Sequence, residues 1–413
     1  MKHDNSVGCI YETRQRALML ASVASMIDQF NMPNIRLLLA MGCEVHVACN
    51  FREGNTCDEK RIRKMKKELR RMHVTYHQWD CPRSIYACSK CVRAYWQLCR
   101  LLHKYHFSCL HCHSPIGSAI ARMAAHGKKI RVIYTAHGFH FYRGSPMKNW
   151  MLYYPFEKLL SYWTDCLVTV NREDYHLAKR RFHARWLFHI PGVGIDISRF
   201  QNGQPMKAEE KRELRKQYEI PPNAVVLLSV GELSKRKNHK MVLSVLPHFA
   251  GKNVYYLICG QGVCEKELLK QAKQLGIEEY VRLAGYVEDP VKIYQMADIF
   301  VFPSRQEGMP VALMEAMAAG LACAVSDIRG NRELIGQDVP EMRFLPDDGS
   351  QLKFVLERLI EDKQLRKECG IRNGRRVKSY SLAMVQEKMQ EIYQKNLEVN
   401  KSYGGNFSFD GRL

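Results

Sequence analysis

The sequence predicts an α/β protein made of two doubly wound, Rossmann-like domains that face a cleft. Three observations carry this expectation. Short apolar runs alternate with amphipathic segments through the first 190 residues, the same alternation restarts near residue 224, and a polar stretch ending in Pro221-Pro222 separates the two blocks. A chain of 413 residues also exceeds what one hydrophobic core usually organises.

In the front half, candidate strands cover 17–23, 44–49, 74–78, 108–112, 130–135, 166–170 and 186–190. Helical patterns fall between them near 30–41, 58–72, 90–105, 117–126, 148–162 and 172–182. The run Ala17 to Ile27 is short of the ~20 residues that a spanning helix needs. A polar leader containing Asp4 and Glu12, with no clear cleavage site, argues against an export signal, so the run reads as a buried first strand. The second half gives strands near 224–230, 254–259, 281–284, 299–302 and 322–326, then helical sequence from Leu352 to Val399 and a frayed Gly-rich tail from Gly404. The boundaries expected are a first domain over 1–200, a linker over 201–222, a second domain over 223–385, and a C-terminal helix with a flexible tail over 386–413.

Charge is the unusual feature of the composition. Lys and Arg number 63 against 42 Asp and Glu, a net +21, which implies an anionic partner: nucleic acid, an anionic membrane or a phosphorylated substrate. Residues 1–190 hold 30 cations and 13 carboxylates, whereas the rest hold 33 and 29, so the front half meets that partner. Hydrophobic content of 46% and charged content of 25% exclude disordered, collagenous and fibrous classes. The segment Lys60 to Met72 carries eight cations around a stripe of Ile62, Met65, Leu69 and Met72. It reads either as an interfacial helix on an anionic leaflet or as a helix whose stripe packs on the sheet beneath a solvated basic face. The 15 scattered cysteines point to a reducing cytosolic compartment. Cys88-x2-Cys91 and Cys109-x2-Cys112 fit the spacing of a zinc site, but Cys91 leads into a helical pattern. Cys109 and Cys112 fall on one strand with their side chains on opposite faces, so free thiols are the preferred reading and no metal is expected.

In open α/β sheets ligands sit beyond the carboxyl ends of the strands, which directs attention to the strand-end loops. The first strand of the second half ends at Gly231, where the backbone can approach a ligand, followed by Lys235, Arg236 and Lys237, which suit phosphate oxygens. A second loop runs from Pro303 through Glu307-Gly308-Met309-Pro310-Val311 to Glu315 and Gly320. Pro310 suits a first helical turn and Gly320 a helix end, so a helix N-terminus follows a strand and offers free N–H groups to a phosphate. Glu307 precedes that helix, where it can accept hydrogen bonds from sugar hydroxyls, and Glu315 lies deeper, within reach of a ribose diol. The structural alternatives are stabilisation of the helix start by Glu307 and a core-edge contact for Glu315.

The arrangement Glu307/Glu315 in SRQEGMPVALMEAMAAG resembles the signature of the retaining glycosyltransferases of family 4, which have the GT-B fold. SVGELSKRKNH (229–239), Ile258 to Gly262, LAGYVED (283–289) and Ala297 to Ser304 support the likeness. HCHSPIGSAIARMAA (111–125), YTAHGFHFYRG (134–144) and IPGVGIDISRF (190–200) resemble the branch that builds bacterial exopolysaccharide and capsule. The resemblance implies an acceptor-binding first domain and a second domain that binds a nucleotide sugar, most simply a UDP-sugar, with no cofactor. It implies that Lys237 contacts the diphosphate, with Arg236 or Lys235 beside it, and that Glu307 and Gly308 to Val311 hold the donor sugar. It places Glu315 on the ribose, and Gly260 to Gly262 and Tyr286 around the nucleobase. His137 would line the acceptor side, with His113 and His140 as further candidates. Two departures stand out: Glu232 follows Gly231 where many relatives have Arg, and Ala24-Ser25 stands where a Gly-Gly is frequent. No Asp-x-Asp occurs, so cations and a helix N-terminus are expected to stabilise the leaving diphosphate. The expected acceptor is a lipid-diphosphate-linked saccharide, at the inner face of the cell membrane, reached by a peripheral protein. A nucleotide-sugar epimerase of the same fold is the alternative enzyme. A nucleic-acid-binding protein is the alternative of another class, suggested by charge alone and lacking any recognised module.

Overall fold

The computed structural model describes residues 15–54, 58–201, 206–336 and 339–397. The polar leader and the tail from Gly404 lie outside the described residues. Seven strands build the first sheet: β1 (Arg16–Val23), β2 (Glu44–Asn50), β3 (Thr75–Gln78), β4 (Cys109–His113), β5 (Arg131–Ala136), β6 (Cys166–Thr169) and β7 (Trp186–His189). Their order is β3-β2-β1-β4-β5-β6-β7. The second sheet holds β8 (Val225–Val230), β9 (Val254–Cys259), β10 (Val281–Gly285), β11 (Ile299–Phe302), β12 (Ala322–Ser326) and β13 (Arg343–Phe344), in the order β10-β9-β8-β11-β12-β13. All neighbouring pairs are parallel. Strand order reverses between β1 and β4 and between β8 and β11, which creates a crevice at the carboxyl end of each sheet.

The apolar runs account for the strands. Leu18, Met19, Leu20, Val226, Leu227 and Leu228 are buried on both faces, as a parallel sheet covered by helices requires. The two-residue strand β13 is too short to leave a pattern. Beyond it, helical sequence is cut into Gly349–Glu361, Lys363–Arg376 and Leu382–Asn396. The carboxylate of Asp362 accepts from Leu365 N at 2.8 Å and Ser381 caps Met384 N, so each break carries its own N-cap.

Two segments tie the halves together. The helix Ala208–Gln217, inside the stretch expected to be a linker, is fastened to the second sheet by Arg215. This buried guanidinium donates to the carbonyls of Pro222, Ala224 and Met296 and to Asp298 Oδ2, at 2.7 to 2.9 Å. The last helix, Leu382–Asn396, returns to the first sheet. Its Tyr393 hydroxyl lies 2.7 Å from His111 Nδ1, and Gln386 Nε2 donates to Asn34 Oδ1 at 3.2 Å. Ile195 and Ser381 meet in a parallel bridge where the chain crosses between domains in both directions.

The basic helix Glu59–Arg71 packs its stripe as core: Ile62, Met65 and Leu69 are buried. The cysteine pairs separate, with Cys88 and Cys91 on the helix Cys88–Tyr105 and Cys109 and Cys112 in the cores on opposite faces of the first sheet. Among the described residues no group of three His, Cys, Asp or Glu is placed to hold a metal.

Replacing Arg215 by Ala would leave three carbonyls without this donor, while Asp298 keeps Lys211 Nζ and Val226 N. It should lower unfolding free energy by about 1–3 kcal/mol, the scale of leaving buried acceptors unsatisfied, read as a shift in the urea midpoint.

Candidate active site

The loops after β8, β9 and β11 assemble one side of the cleft. Gly231 N donates to the Cys259 carbonyl at 2.9 Å, Leu233 N to Gln261 O at 2.9 Å, and Gly260 N to Gly285 O at 2.7 Å, so three neighbouring strand ends are laced together. A Cβ on Gly260 would lie 1.8 Å from the Gly231 carbonyl oxygen and one on Gly262 2.4 Å from that of Leu233. Here glycine is required by the approach of one loop to another. The loop after β11 is stitched to the loop after β8 in the same way: Arg305 N donates to Arg236 O at 2.9 Å, and Arg305 Nη1 to Lys235 O at 3.0 Å.

This lacing brings Lys237, Arg236 and Glu307 onto one point. Lys237 Nζ lies 2.9 Å and Arg236 Nη1 2.7 Å from the same oxygen, Glu307 Oε1. Lys237 also sits over the Phe302 ring, 4.5 Å from its centroid. Burial pushes the Glu307 carboxyl upward, but Lys237 and Arg236 more than offset it and hold the group below its usual range. The same burial lowers the Lys237 ammonium, and Glu307 opposes it. One carboxylate thus faces two cations at the carboxyl end of the sheet, and Glu232 also acts on Lys237. The helix Val311–Ala318 begins beside them, and no side chain caps its N-terminus.

Glu315 lies one turn into that helix, with its Oε2 3.0 Å from the Tyr294 hydroxyl. Burial pushes its carboxyl up to about 7, moderated by the Tyr294 bond and by Arg199. Tyr286 is exposed on the loop after β10, within electrostatic reach of Arg61.

Across the cleft, His113 ends β4 and His137 follows β5. His113 Nδ1 is 3.0 Å from His137 Nε2, and His113 Nε2 is 3.2 Å from the Met19 sulfur. Burial lowers both rings, His137 to about 4, so both are neutral at pH 7. A thioether has no hydrogen to give, so His113 Nε2 carries the proton and His113 Nδ1 accepts from His137 Nε2–H. His137 Nδ1 is left as the unprotonated nitrogen, with no protein partner among the described residues. The His140 ring stacks on Tyr153, ring centroids 4.7 Å apart.

The two sides meet through backbone. A Cβ on Gly308 would lie 1.9 Å from the His137 carbonyl oxygen, and one on Gly330 2.4 Å from that of Gly308. Around this contact is an ion pair that no motif announced. Arg329, at the start of the helix Arg329–Ile335, reaches Asp174 of the first domain, Nη1 to Oδ1 at 2.5 Å, with Asp174 wholly buried. Arg329 Nη2 donates to Phe139 O at 2.8 Å, and Asp174 Oδ2 accepts from Phe139 N at 3.0 Å and Asn171 Nδ2 at 2.8 Å. In the sequence Asn171-Arg-Glu-Asp174 reads only as a helix cap, which it also is. Arg329 opens its helix three residues after β12, so the strand-end rule would have pointed to it. A second bridge comes from the basic helix: Arg61 Nη1 and Lys64 Nζ lie 2.9 and 3.0 Å from Glu288 Oε1, next to Tyr286.

Residues 35–199 match the family described as Glycosyltransferase Family 4, and residues 210–376 match glycosyl transferases group 1. EpsD of Bacillus subtilis, described as a glycosyltransferase, is 32% identical over 397 residues, 94% of this chain and 98% of its own. The chain belongs to glycosyltransferase family 4. The UDP-Gal:alpha-D-GlcNAc-diphosphoundecaprenol alpha-1,3-galactosyltransferase of Escherichia coli is 26% identical to this glycosyltransferase over 74% of the chain and 79% of its own length. Among solved structures, Anabaena HepE in complex with UDP-glucose superimposes with a TM-score of 0.74 at 15% identity, covering 92% of this chain and 100% of that one. The two-domain architecture is GT-B.

Asp174→Ala or Arg329→Ala should each cost about 3–5 kcal/mol of stability by leaving a buried charge unpaired. Each should also raise the radius of gyration in X-ray scattering as the cleft loosens. For Glu315, the folded carboxyl releases its proton near 7 against an ordinary value of 4.5, so the folded state holds the extra proton in between. Its contribution is full below pH 4.5 and is lost as pH rises to 7, at roughly 1.4 kcal/mol per unit. The melting temperature of Glu315→Gln minus that of the wild type should therefore grow across this window and level off above it.

Proposed function

We propose that this glycosyltransferase moves a sugar, with retention and without a metal, from a UDP-sugar to a lipid-diphosphate-linked saccharide in exopolysaccharide, capsule or related surface-glycan synthesis. The observation that carries this reading is the Lys237–Arg236–Glu307 cluster facing the His137–Gly138 loop across the cleft. Lys237, Arg236 and the N-terminus of Val311–Ala318 supply positive potential for a diphosphate and for the charge that grows on it as the glycosidic bond breaks. Glu307, Gly308 and Met309 border the position of the donor sugar, and Glu315 receives the ribose hydroxyls. Gly260, Gly262 and Tyr286 frame the base.

On the acceptor side, His137 Nδ1 is an unprotonated acceptor that can hold and orient the attacking hydroxyl, and His113 fixes that tautomer. Glu307 is engaged by two cations, which leaves it a poor nucleophile. The reading is therefore front-face attack, in which the departing phosphate oxygen takes the hydroxyl proton. HepE was solved with UDP-glucose, and the E. coli relative is named for UDP-Gal and a diphosphoundecaprenol acceptor, which supports the choice of donor and acceptor class. Among the described residues no helix is long and apolar enough to cross a membrane, and attachment at the inner face would be peripheral.

Purified protein should release UDP from one of a panel of UDP-sugars when given an undecaprenyl-diphosphate-linked sugar, with an α-linked product by NMR. Glu307→Ala and Lys237→Ala should each lower turnover by about 10²-fold or more, the scale of losing a charge-stabilising group. Near-wild-type rates in both would overturn the site.

A further inference from the structure

The helix Met147–Ser161, which follows the His137 loop, is apolar on nearly all sides. Its inner half carries Trp150, Tyr153 and Tyr154 against the core of the first sheet, and Leu160 is buried. Its outer half exposes Met147 at 72%, Met151 at 74%, Leu152 at 38%, Phe156 at 63% and Leu159 at 52%, interrupted only by Pro155, Lys148 and Lys158. A surface helix with apolar residues all round needs a cover. Trp96 on the helix Cys88–Tyr105, which packs into the same core, is 58% exposed as well.

The charge around this face is one-sided. Residues 81–164 contain 12 Lys and Arg and a single carboxylate, Glu157. Glu157 is buried against Arg122, Oε2 to Nη1 at 2.9 Å, so it contributes no negative charge outward. Lys90, Arg93, Lys128, Lys129, Lys148 and Lys158 are exposed. A second copy of the chain would set cations against cations here.

We propose that the outer face of Met147–Ser161 docks on an anionic lipid bilayer, its apolar side chains in the headgroup–acyl boundary and its lysines on lipid phosphates. The proposal rests on the membrane-borne acceptor only for its purpose, since the surface is defined by exposure and charge. It assigns the contact to this helix rather than to Glu59–Arg71, whose stripe is core and whose Arg61 and Lys64 are committed to Glu288. The docking helix also holds the site loop. Asn149 Nδ2 donates to His140 O at 3.0 Å, Trp150 Nε1 to Tyr142 O at 3.3 Å, and Tyr153 stacks on His140. Seating the helix in lipid would therefore place the His137 loop beside the membrane surface.

Co-sedimentation of the full chain with vesicles of equal phosphatidylglycerol and phosphatidylcholine tests this, with phosphatidylcholine alone as reference. The wild type should bind the mixed vesicles at least about tenfold better. Met151→Glu with Phe156→Glu should lose most of that binding, and Lys148→Glu with Lys158→Glu should lose it in part and weaken its salt dependence. All four positions are exposed, so urea midpoints should match the wild type. Wild-type binding to both variants overturns the proposal, as does loss of binding from Arg63→Glu with Lys67→Glu alone. So does a wild-type dimer, by sedimentation velocity, that Met151→Glu with Phe156→Glu dissociates. No sugar donor enters the assay, so it stands or falls apart from the transfer reaction.

Discussion

The buried pair Arg329–Asp174 is the interaction on which the arrangement of the cleft depends. A guanidinium from the second domain and a carboxylate from the first are removed from water at the domain boundary, and neither tolerates that depth alone. Each is further satisfied by the backbone of Phe139, so the pair fixes the segment after His137 as well as the two domains. The backbone contact of Gly138, Gly308 and Gly330 follows from it: with the domains held this close, no side chain fits between the loops. The geometry of the candidate site is thus set at the interface and not within either sheet.

Within that frame the donor side is held by its own charges. Glu307 shares one oxygen between Lys237 and Arg236 while their loops are joined through Arg305. The two cations are therefore ordered by Glu307 itself, ahead of the anion proposed to bind here. On the opposite wall the order comes from neutral groups: the Met19 sulfur and two imidazoles settle where a proton sits without any formal charge.

Much of this was legible in the sequence because it rests on local signals. The seven strands of the first sheet and five of the six in the second are apolar runs between turn residues, and β13 escaped because two residues carry no period. Glu307, Lys237 and Gly308 were legible as strand-end loop residues, and the structure does bring Glu307 to Lys237. Asp174 and Arg329 were not, since they lie 155 positions apart and each has a local explanation, one as part of a helix cap and one as a cation opening a helix. The basic helix was legible in its stripe, which packs as core, and not in its partners. Its eight cations look like a surface for an external anion, yet Arg61 and Lys64 find Glu288, whose nearness only the tertiary fold reveals. His140 shares a loop with His137, but its ring stacks on Tyr153 and not on the imidazole pair.

The return of Leu382–Asn396 to the first sheet bears on how the molecule is made. Met389, Ile392 and Tyr393 are almost wholly buried there, and Tyr393 closes over His111. On a ribosome, the first domain emerges before the second yet lacks a wall of its own core until Leu382–Asn396 has been translated. It must wait, with apolar surface uncovered, while the second domain is synthesised between its parts. Completion of the two domains is therefore coupled in time, and the double crossing at Ile195 and Ser381 is the seam left by that order of events.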